Sequence, residues 1–336
     1  MWCATIVLTI VCSADVDVAL KDLNSSDLTI RQAAYNTLLN VAQNGSDMVQ
    51  QQLLEELLKL KDQKLESFVL ELMNAIAVSN PSAFKSSIKD LQNWFDNATD
   101  VRTQVQILVI VGILGKEASA FLPTVQEFAN RNQQHDVFVE AWALFAKLRL
   151  TYGEEGREEL ADFVKSDDPQ QRWMAATIIG AMVHRGDQQF ASYLKKLIDD
   201  KHVTVRVCAA SAMLRMDEND TAVNVLRQSL NLPREKYRTT PIVFGEANSL
   251  GHKVAAVTAL SCTTHFRELA PDLCEMFGDD DILLHQVLAR EILAHAGDSP
   301  EVLKKLDVII PTLNDENGRA YAQELAKRMR RSGTGN

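Results

Sequence analysis

Few residues in this chain have the types and spacing that catalysis or metal binding requires. None of the seven histidines belongs to an HExxH motif, which would place two zinc ligands on one helix face. Gly112, Gly115 and Lys116 resemble a phosphate-binding loop, but the spacing is short and Glu117 replaces its Ser or Thr. There is no GxSxG nucleophile elbow. The sequence therefore implies no cofactor, no metal site and no catalytic residue.

The cysteines do not suggest a redox or zinc site either. Cys208, Cys262 and Cys274 have neither close pairing nor the CxxC spacing of a zinc ligand set. A free cysteine without such a pattern behaves as a small hydrophobic side chain. We therefore expect all three to be buried.

The segment 231–251 is the best candidate for binding a partner. Pro233, Pro241 and Gly245 prevent a continuous helix there, and the segment is locally basic in an acidic chain. Arginine and tyrosine are frequent at binding hot spots, and arginine pairs well with carboxylate or phosphate. An insertion without a role explains the segment equally well. The candidate contacts are Arg234, Lys236, Tyr237, Arg238 and Phe244.

Composition limits the elements that could position these residues. The chain has 336 residues, 46% of them hydrophobic, with only 8 prolines and 14 glycines. So few helix breakers are typical of a mostly helical protein. The net charge of −10 opposes nucleic-acid binding as a general mode, because such binding gains affinity from Lys and Arg. We expect an all-α protein with no nucleic-acid partner, although a local basic patch is compatible with this composition.

The first fourteen residues are uncharged, mostly apolar and end in Cys12, Ser13 and Ala14. They resemble the later part of a secretory signal peptide cleaved after Ala14, but the positive n-region is missing. A mis-assigned start codon or a short buried helix would give the same pattern. Export to the periplasm or outside the cell and a cytoplasmic location therefore both stay open. This run is too short to span a bilayer, and no later segment is expected to do so.

An internal repeat of about 35 residues organises the chain. Residues 168–176 and 202–210 both contain a turn residue, an arginine four positions later and then a helix rich in small residues. The long step from 206 to 253 holds about 13 extra residues, which makes 231–251 an insertion loop. The reference positions of the nine repeats are Arg31, Glu66, Arg102, Glu140, Arg172, Arg206, Lys253, His285 and Arg319.

Each repeat contains two amphipathic helices, helix A before the reference position and helix B around and after it. An aspartate four residues ahead of most reference positions is placed to cap helix B. Glycines between repeats are predicted to end helices in the left-handed conformation: Gly45, Gly115, Gly153, Gly186 and Gly297.

One helix pair cannot bury its apolar face alone, so neighbouring pairs must stack. We expect a single right-handed α-solenoid of about nine pairs over residues 15–331, with a flexible tail at 332–336. The B helices would line its concave side. Trp142 and Trp173 lie near the starts of consecutive B helices, where they would either anchor a partner or pack in the core.

The pattern resembles the HEAT repeat, in particular its short bacterial form. The residues that carry the resemblance are Asp168, Pro169 and Arg172, the pair Val205-Arg206, and the passage from Leu114-Gly115 to Pro123. The resemblance covers residues 16–330 and implies an armadillo-like fold. It also implies that the reference residue pairs with an aspartate of the adjacent repeat. Glu66 and Glu140 depart from the family, which usually has a basic residue there.

The resemblance favours a non-enzymatic scaffold that binds a protein or peptide through the concave face and the 231–251 loop. An enzyme is the alternative, because bilin lyases also contain HEAT-like repeats, although no reactive residue can be transferred from them. The net charge disfavours a HEAT-like DNA glycosylase. Similarity to HEAT-like di-iron hydroxylases fails because no histidine precedes a glutamate. Deleting residues 233–245 is expected to leave the fold intact.

Overall fold

The computed structural model describes residues 13–60, 65–132, 136–186, 188–217, 219–232 and 251–333. Within these ranges the chain forms eighteen α-helices and no β-strand. Within each of two compact units, every second helix packs on the helix two positions later in the sequence, which is the arrangement of stacked helix pairs. The all-α solenoid class is therefore confirmed.

The contacts within the chain group it into two compact units, with a boundary after Leu160. In unit 1, helix α2 packs on α4, α4 on α6, and α6 on α8, so the even-numbered helices are the B helices. The helix α9 (Arg157–Lys165) contains the division. The helices of unit 1 are α1 (Ser13–Asp22), α2 (Leu28–Asn44), α3 (Asp47–Leu57), α4 (Glu66–Ser79), α5 (Ile88–Asn97), α6 (Val101–Leu114), α7 (Leu122–Arg131) and α8 (Val137–Leu150).

Unit 2 begins at Ala161 and repeats the same packing, with α10 on α12, α12 on α14, α14 on α16, and α16 on α18. The helices of unit 2 are α10 (Pro169–Met182), α11 (Ala191–Leu197), α12 (Val203–Met216), α13 (Asp220–Leu230), α14 (His252–Ser261), α15 (Phe266–Leu273), α16 (Ile282–Ala296), α17 (Pro300–Ile309) and α18 (Glu316–Gly333).

These bounds bear on the predicted organisation. All nine reference positions lie in even-numbered helices. The insertion falls between α13 and α14, but residues 233–250, which include Arg234, Lys236, Tyr237, Arg238 and Phe244, lie outside the described residues. Helix α18 continues to Gly333, and residues 334–336 lie outside the described residues, so the flexible tail at 332–336 stays a prediction. The single solenoid over 15–331 stays a prediction.

The predicted signal peptide also lies almost wholly outside the described ranges, which begin at Ser13. A cleavage after Ala14 would fall within the first turn of α1. Export and a cytoplasmic location both remain predictions.

Aspartate caps define where several B helices begin. Asp27, Asp100, Asp136, Asp168 and Asp281 each accept a hydrogen bond from a backbone N–H in the first turn of the following helix. Such a bond satisfies a donor that the helix itself leaves unpaired. The predicted capping role is therefore confirmed at these positions.

The glycines between repeats do not all use the left-handed conformation. Gly115, Gly153 and Gly186 have positive φ, as predicted for a helix end. Gly45 and Gly297 have φ of −66° and −64°, so the prediction was wrong there. At Gly45 a side chain is excluded for a different reason, since an added Cβ would lie 2.5 Å from the Val41 carbonyl oxygen.

Residues Val101–Arg131 form a helical run that is long and apolar enough, by length and composition, to cross a membrane. The sequence had suggested that no such segment exists. However, 67% of the apolar window is buried inside the protein, and α6 lies against both α4 and α8. This burial is what a core helix of a folded unit requires.

Candidate functional site

The reference residue Arg172 links two repeats of unit 2. Its Nε lies 2.5 Å from Asp200 Oδ2, and its Nη2 lies 3.0 Å from Oδ1. The Nη1 atom donates to the carbonyl oxygens of Ser166 and Asp167 at 2.7 and 3.0 Å. Since Arg172 is only 8% exposed, its guanidinium is committed to this internal network rather than to a partner.

Asp200 is held ionised by the same network. Burial opposes ionisation, but hydrogen bonds from Arg172 and from the backbone N–H of His202 outweigh it and keep the pKa of Asp200 below the ordinary aspartate value. This contact between repeats is the one that the resemblance implied for the reference position.

The same register continues along unit 2. Arg206 Nη1 donates to the Asp200 carbonyl at 2.7 Å, and Lys253 Nζ binds Asp279 Oδ2 at 2.9 Å. His285 Nε2 lies 2.9 Å from the Asp279 carbonyl oxygen, six residues before it in the sequence. Arg172 and Lys253 therefore bind an aspartate that precedes the next B helix, whereas Arg206 and His285 bind a backbone carbonyl just before their own helix.

The two tryptophans proposed as anchors have packing roles in the structure. Trp142 is 7% exposed and meets Phe145 edge to face, with ring centroids 5.6 Å apart. Trp173 is partly exposed, and its Nε1 donates to Cys208 Sγ at 3.1 Å. These contacts favour the packing interpretation, and a partner contact at either residue stays a prediction.

The cysteines do not form a reactive site. Cys274 is buried as expected, whereas Cys262 is exposed, so that expectation was wrong for Cys262. Burial raises the pKa of the Cys208 thiol to about 11 and that of Cys274 to about 12, which keeps both thiols protonated near neutral pH. Among the described residues, no group of three His, Cys, Asp or Glu side chains could hold a metal ion.

The B helices of unit 2 are basic, although the chain as a whole is acidic. They contain ten Lys or Arg residues and only three Asp or Glu residues, against 35 and 45 in the whole chain. Four of those cations are the reference residues Arg172, Arg206, Lys253 and Arg319. The others lie in the C-terminal halves of the helices and include Arg215, Arg290, Lys327 and Arg328.

A groove of about 380 Å³ lies between α16 and α18, and we call it the α16/α18 groove. Its apolar floor consists of the lining residues Ala289, Leu293 and Leu325, and Arg290 of α16 and Arg328 of α18 also line it. At one end Gln286 Nε2 donates to the Tyr321 hydroxyl at 3.0 Å, which bridges the two helices. This groove is the candidate functional site, because it combines apolar surface with charged groups on the B-helix face.

A second cavity of about 530 Å³ is lined by α13, α15 and the turn after α15. Its lining is mostly polar, with Asn224, Gln228 and Asp272 among its residues, and Glu275 is bound by Lys305 at 2.5 Å. This cavity belongs to the A helices and offers less apolar area for a partner. It is therefore the weaker candidate.

Comparison with known proteins places the repeat in a family. The family model for HEAT repeats matches residues 157–243, which include the reference residues Arg172 and Arg206. This match confirms the resemblance and shows that residues 157–243 are HEAT repeats. A search of the curated proteins found no match.

Proposed function

We propose that this protein is a non-enzymatic scaffold that binds a segment of another protein on its B-helix face. HEAT repeats form helical scaffolds that often mediate protein interactions, and the family is generally non-catalytic. The observation that carries the proposal is the α16/α18 groove, with its apolar floor between two arginines.

The groove has the anatomy of a protein interface rather than of a catalytic site. Protein interfaces combine an apolar centre with a polar rim, and arginine and tyrosine are enriched at their hot spots. Leu293 and Ala289 supply the apolar centre here, while Arg290, Arg328 and Tyr321 supply the rim. A helix or an extended segment bound along the α16/α18 groove would contact residues from both helices at once.

The 231–251 loop is the second part of the proposal. Arg234, Tyr237 and Arg238 have the side chains that a carboxylate-bearing or aromatic partner surface would contact. The loop contribution rests on the sequence alone, and it is tested separately from the groove.

The test is retention of a polypeptide from native extract on the immobilised protein. Ala294 lines the α16/α18 groove and is exposed, so Ala294→Trp would fill the groove without disturbing the core. Val308→Trp is the matched control, because Val308 is 63% exposed on the A helix α17. We expect a polypeptide that is retained by the wild type and by Val308→Trp but lost with Ala294→Trp.

A triple variant with Arg234, Tyr237 and Arg238 changed to Ala reports on the loop in the same assay. Loss of the polypeptide with this variant would add the loop to the binding surface, and full retention would remove it. If no polypeptide is retained and a pigment or another small molecule co-purifies instead, the scaffold proposal fails and the enzyme alternative of the bilin lyase type takes its place.

A further inference from the structure

We infer that the α16/α18 groove recognises an acidic amphipathic segment, with an apolar side chain on Leu293 and Leu325 and carboxylates against Arg290 and Arg328. This inference rests on the proposed function and specifies the chemistry of the partner.

The groove has a local excess of positive charge. Arg290 is paired with Glu291, and Arg328 and Lys327 share the single carboxylate of Glu324. Among the residues that line the groove, two are arginines, Arg290 and Arg328, and one, Glu324, is a carboxylate, in a chain whose net charge is −10. An acidic segment would balance this excess.

The aspartates that precede the B helices lie far from the arginines of the groove. Asp281 and Asp315 stand just before α16 and α18, whereas Arg290 lies nine residues further along α16 than Asp281. At a rise of 1.5 Å per residue this separation is roughly 13 Å. It exceeds the screening length of about 8 Å at physiological ionic strength. The aspartates before the helices therefore do little to cancel the arginines of the groove.

Both arginines remain largely exposed beyond the ion pairs that they already form. Arg290 contacts Glu291 Oε1 through Nε at 2.8 Å and through Nη2 at 2.5 Å, and Arg290 is 65% exposed while Glu291 is 11% exposed. The carboxylate is thus beneath the guanidinium, whose other side faces solvent. A guanidinium carries five N–H donors, so it can bind a second carboxylate beside the first. Arg328 is similarly 59% exposed beyond its bond to Glu324.

An acidic protein segment fits these features better than a nucleic acid. Nucleic acids gain affinity from an extended row of cations that follows the phosphates. Here the arginines flank an apolar floor, which bases and phosphates would leave uncovered, while an amphipathic segment would bury it.

The experiment measures peptide binding by fluorescence anisotropy. The probes are three fifteen-residue amphipathic peptides with the same leucines, whose polar positions are all Glu, all Gln or all Lys. The test variant is Arg290→Gln with Arg328→Gln. The control variant, Arg267→Gln with Lys304→Gln, removes the same charge from exposed positions on α15 and α17. Glutamine is chosen because it retains helix propensity and adds no repulsion toward Glu291 or Glu324.

We expect the Glu peptide to bind most tightly and to lose affinity as salt is raised. The test variant should weaken its binding about tenfold, as expected for two partly exposed ion pairs, while the control variant should stay within about twofold. Equal binding of the Glu, Gln and Lys peptides, or equal effects of the two variants, would overturn the inference.

Two further outcomes separate this inference from the proposed function. If Ala294→Trp abolishes polypeptide retention but the peptides bind without regard to charge, the groove binds a protein and only its acidic chemistry is wrong. If a single-stranded oligonucleotide binds more tightly than the Glu peptide and depends on Arg290 and Arg328, the groove is a nucleic-acid site, and both the inference and the proposed function fall.

Discussion

Arg149 of α8 donates from Nε to the carbonyl oxygen of Gly112 in α6, at 2.9 Å. Gly112 is the third residue from the end of its helix, where the carbonyl has no partner within the helix. The same relationship recurs in unit 2, where Arg215 Nη1 of α12 donates to the Gly180 carbonyl of α10 at 2.7 Å. Each bond joins consecutive B helices and satisfies a carbonyl at a helix end.

Removing this donor should weaken the packing of α8 on α6. We expect Arg149→Met to lower the free energy of unfolding by about 1–3 kcal/mol, because partly buried carbonyls lose their hydrogen bond. Arg131→Met on the surface of α7 is the control, since Arg131 is 57% exposed. Urea unfolding measures both variants, and an equal small change in the two would show that the bond contributes nothing measurable.

The two glycines of this relationship should respond differently to a methyl group. A Cβ at Gly112 would lie 2.5 Å from Cδ1 of the buried Phe145 ring, which is a steric clash. Gly112→Ala should therefore lower the free energy of unfolding by about 1–3 kcal/mol. A Cβ at Gly180 would lie 3.4 Å from Ala212 Cβ, which is an ordinary contact. Gly180→Ala should therefore gain about 0.5–1 kcal/mol from helix propensity. Thermal unfolding measures the stability of the two single variants. If Gly112→Ala were more stable than Gly180→Ala, the result would contradict the close packing of α6 on α8.

The buried ion pair between Arg172 and Asp200 should be worth more than an exposed one. Asp200→Asn leaves a buried guanidinium without its charge partner, so we expect a loss of about 3 kcal/mol in the free energy of unfolding. Asp298→Asn is the control, because the pair between Arg267 and Asp298 is exposed and should contribute little. Similar losses in the two variants would show that the buried pair stabilises the fold no more than the exposed pair does.

The pH dependence of this pair has a definite sign. The pKa of Asp200 is lowered in the folded protein, so the pair stabilises the fold above the ordinary aspartate pKa of about 4. The stabilisation is lost as the pH falls through the lower folded value. The difference in stability between wild type and Asp200→Asn should therefore be constant near neutral pH and shrink below about pH 4. Chemical unfolding of the two proteins from neutral pH to below pH 4 measures this stability difference. A difference that grows on acidification would contradict a lowered pKa of Asp200 in the folded protein.

Trp142 should act on stability rather than on binding. Its side chain is 7% exposed against Phe145, so Trp142→Ala should cost about 3–5 kcal/mol. The folded fraction of this variant should still bind the Glu peptide with the affinity of the wild type. A variant of unchanged stability that no longer binds would restore Trp142 as an anchor.

The fold follows from the sequence because its signals are local. The spacing of Arg172 and Arg206, with turn residues four positions earlier, marks successive B helices, and the aspartate caps mark their starts. The errors have local causes too. Gly45 has an extended backbone, and glycine is needed there because the Val41 carbonyl leaves no room for a Cβ, which the residue type alone does not reveal.

The candidate site could not be derived in the same way. Arg290 and Arg328 stand in different repeats, and only the packing of α16 on α18 brings both into the lining of one groove. A signal was present, since the charges of the B helices from α10 onward can be counted once the repeat register is known. The insertion loop is more conspicuous in the sequence, because it breaks the repeat.

The most direct test of the account is hydrogen–deuterium exchange of the protein with and without the Glu peptide. Binding in the α16/α18 groove should slow exchange in peptides that cover residues 286–294 and 321–328, and it should leave the helices of unit 1 unchanged. Protection confined to other helices, or none at peptide concentrations that saturate the anisotropy signal, would contradict the groove as the binding site.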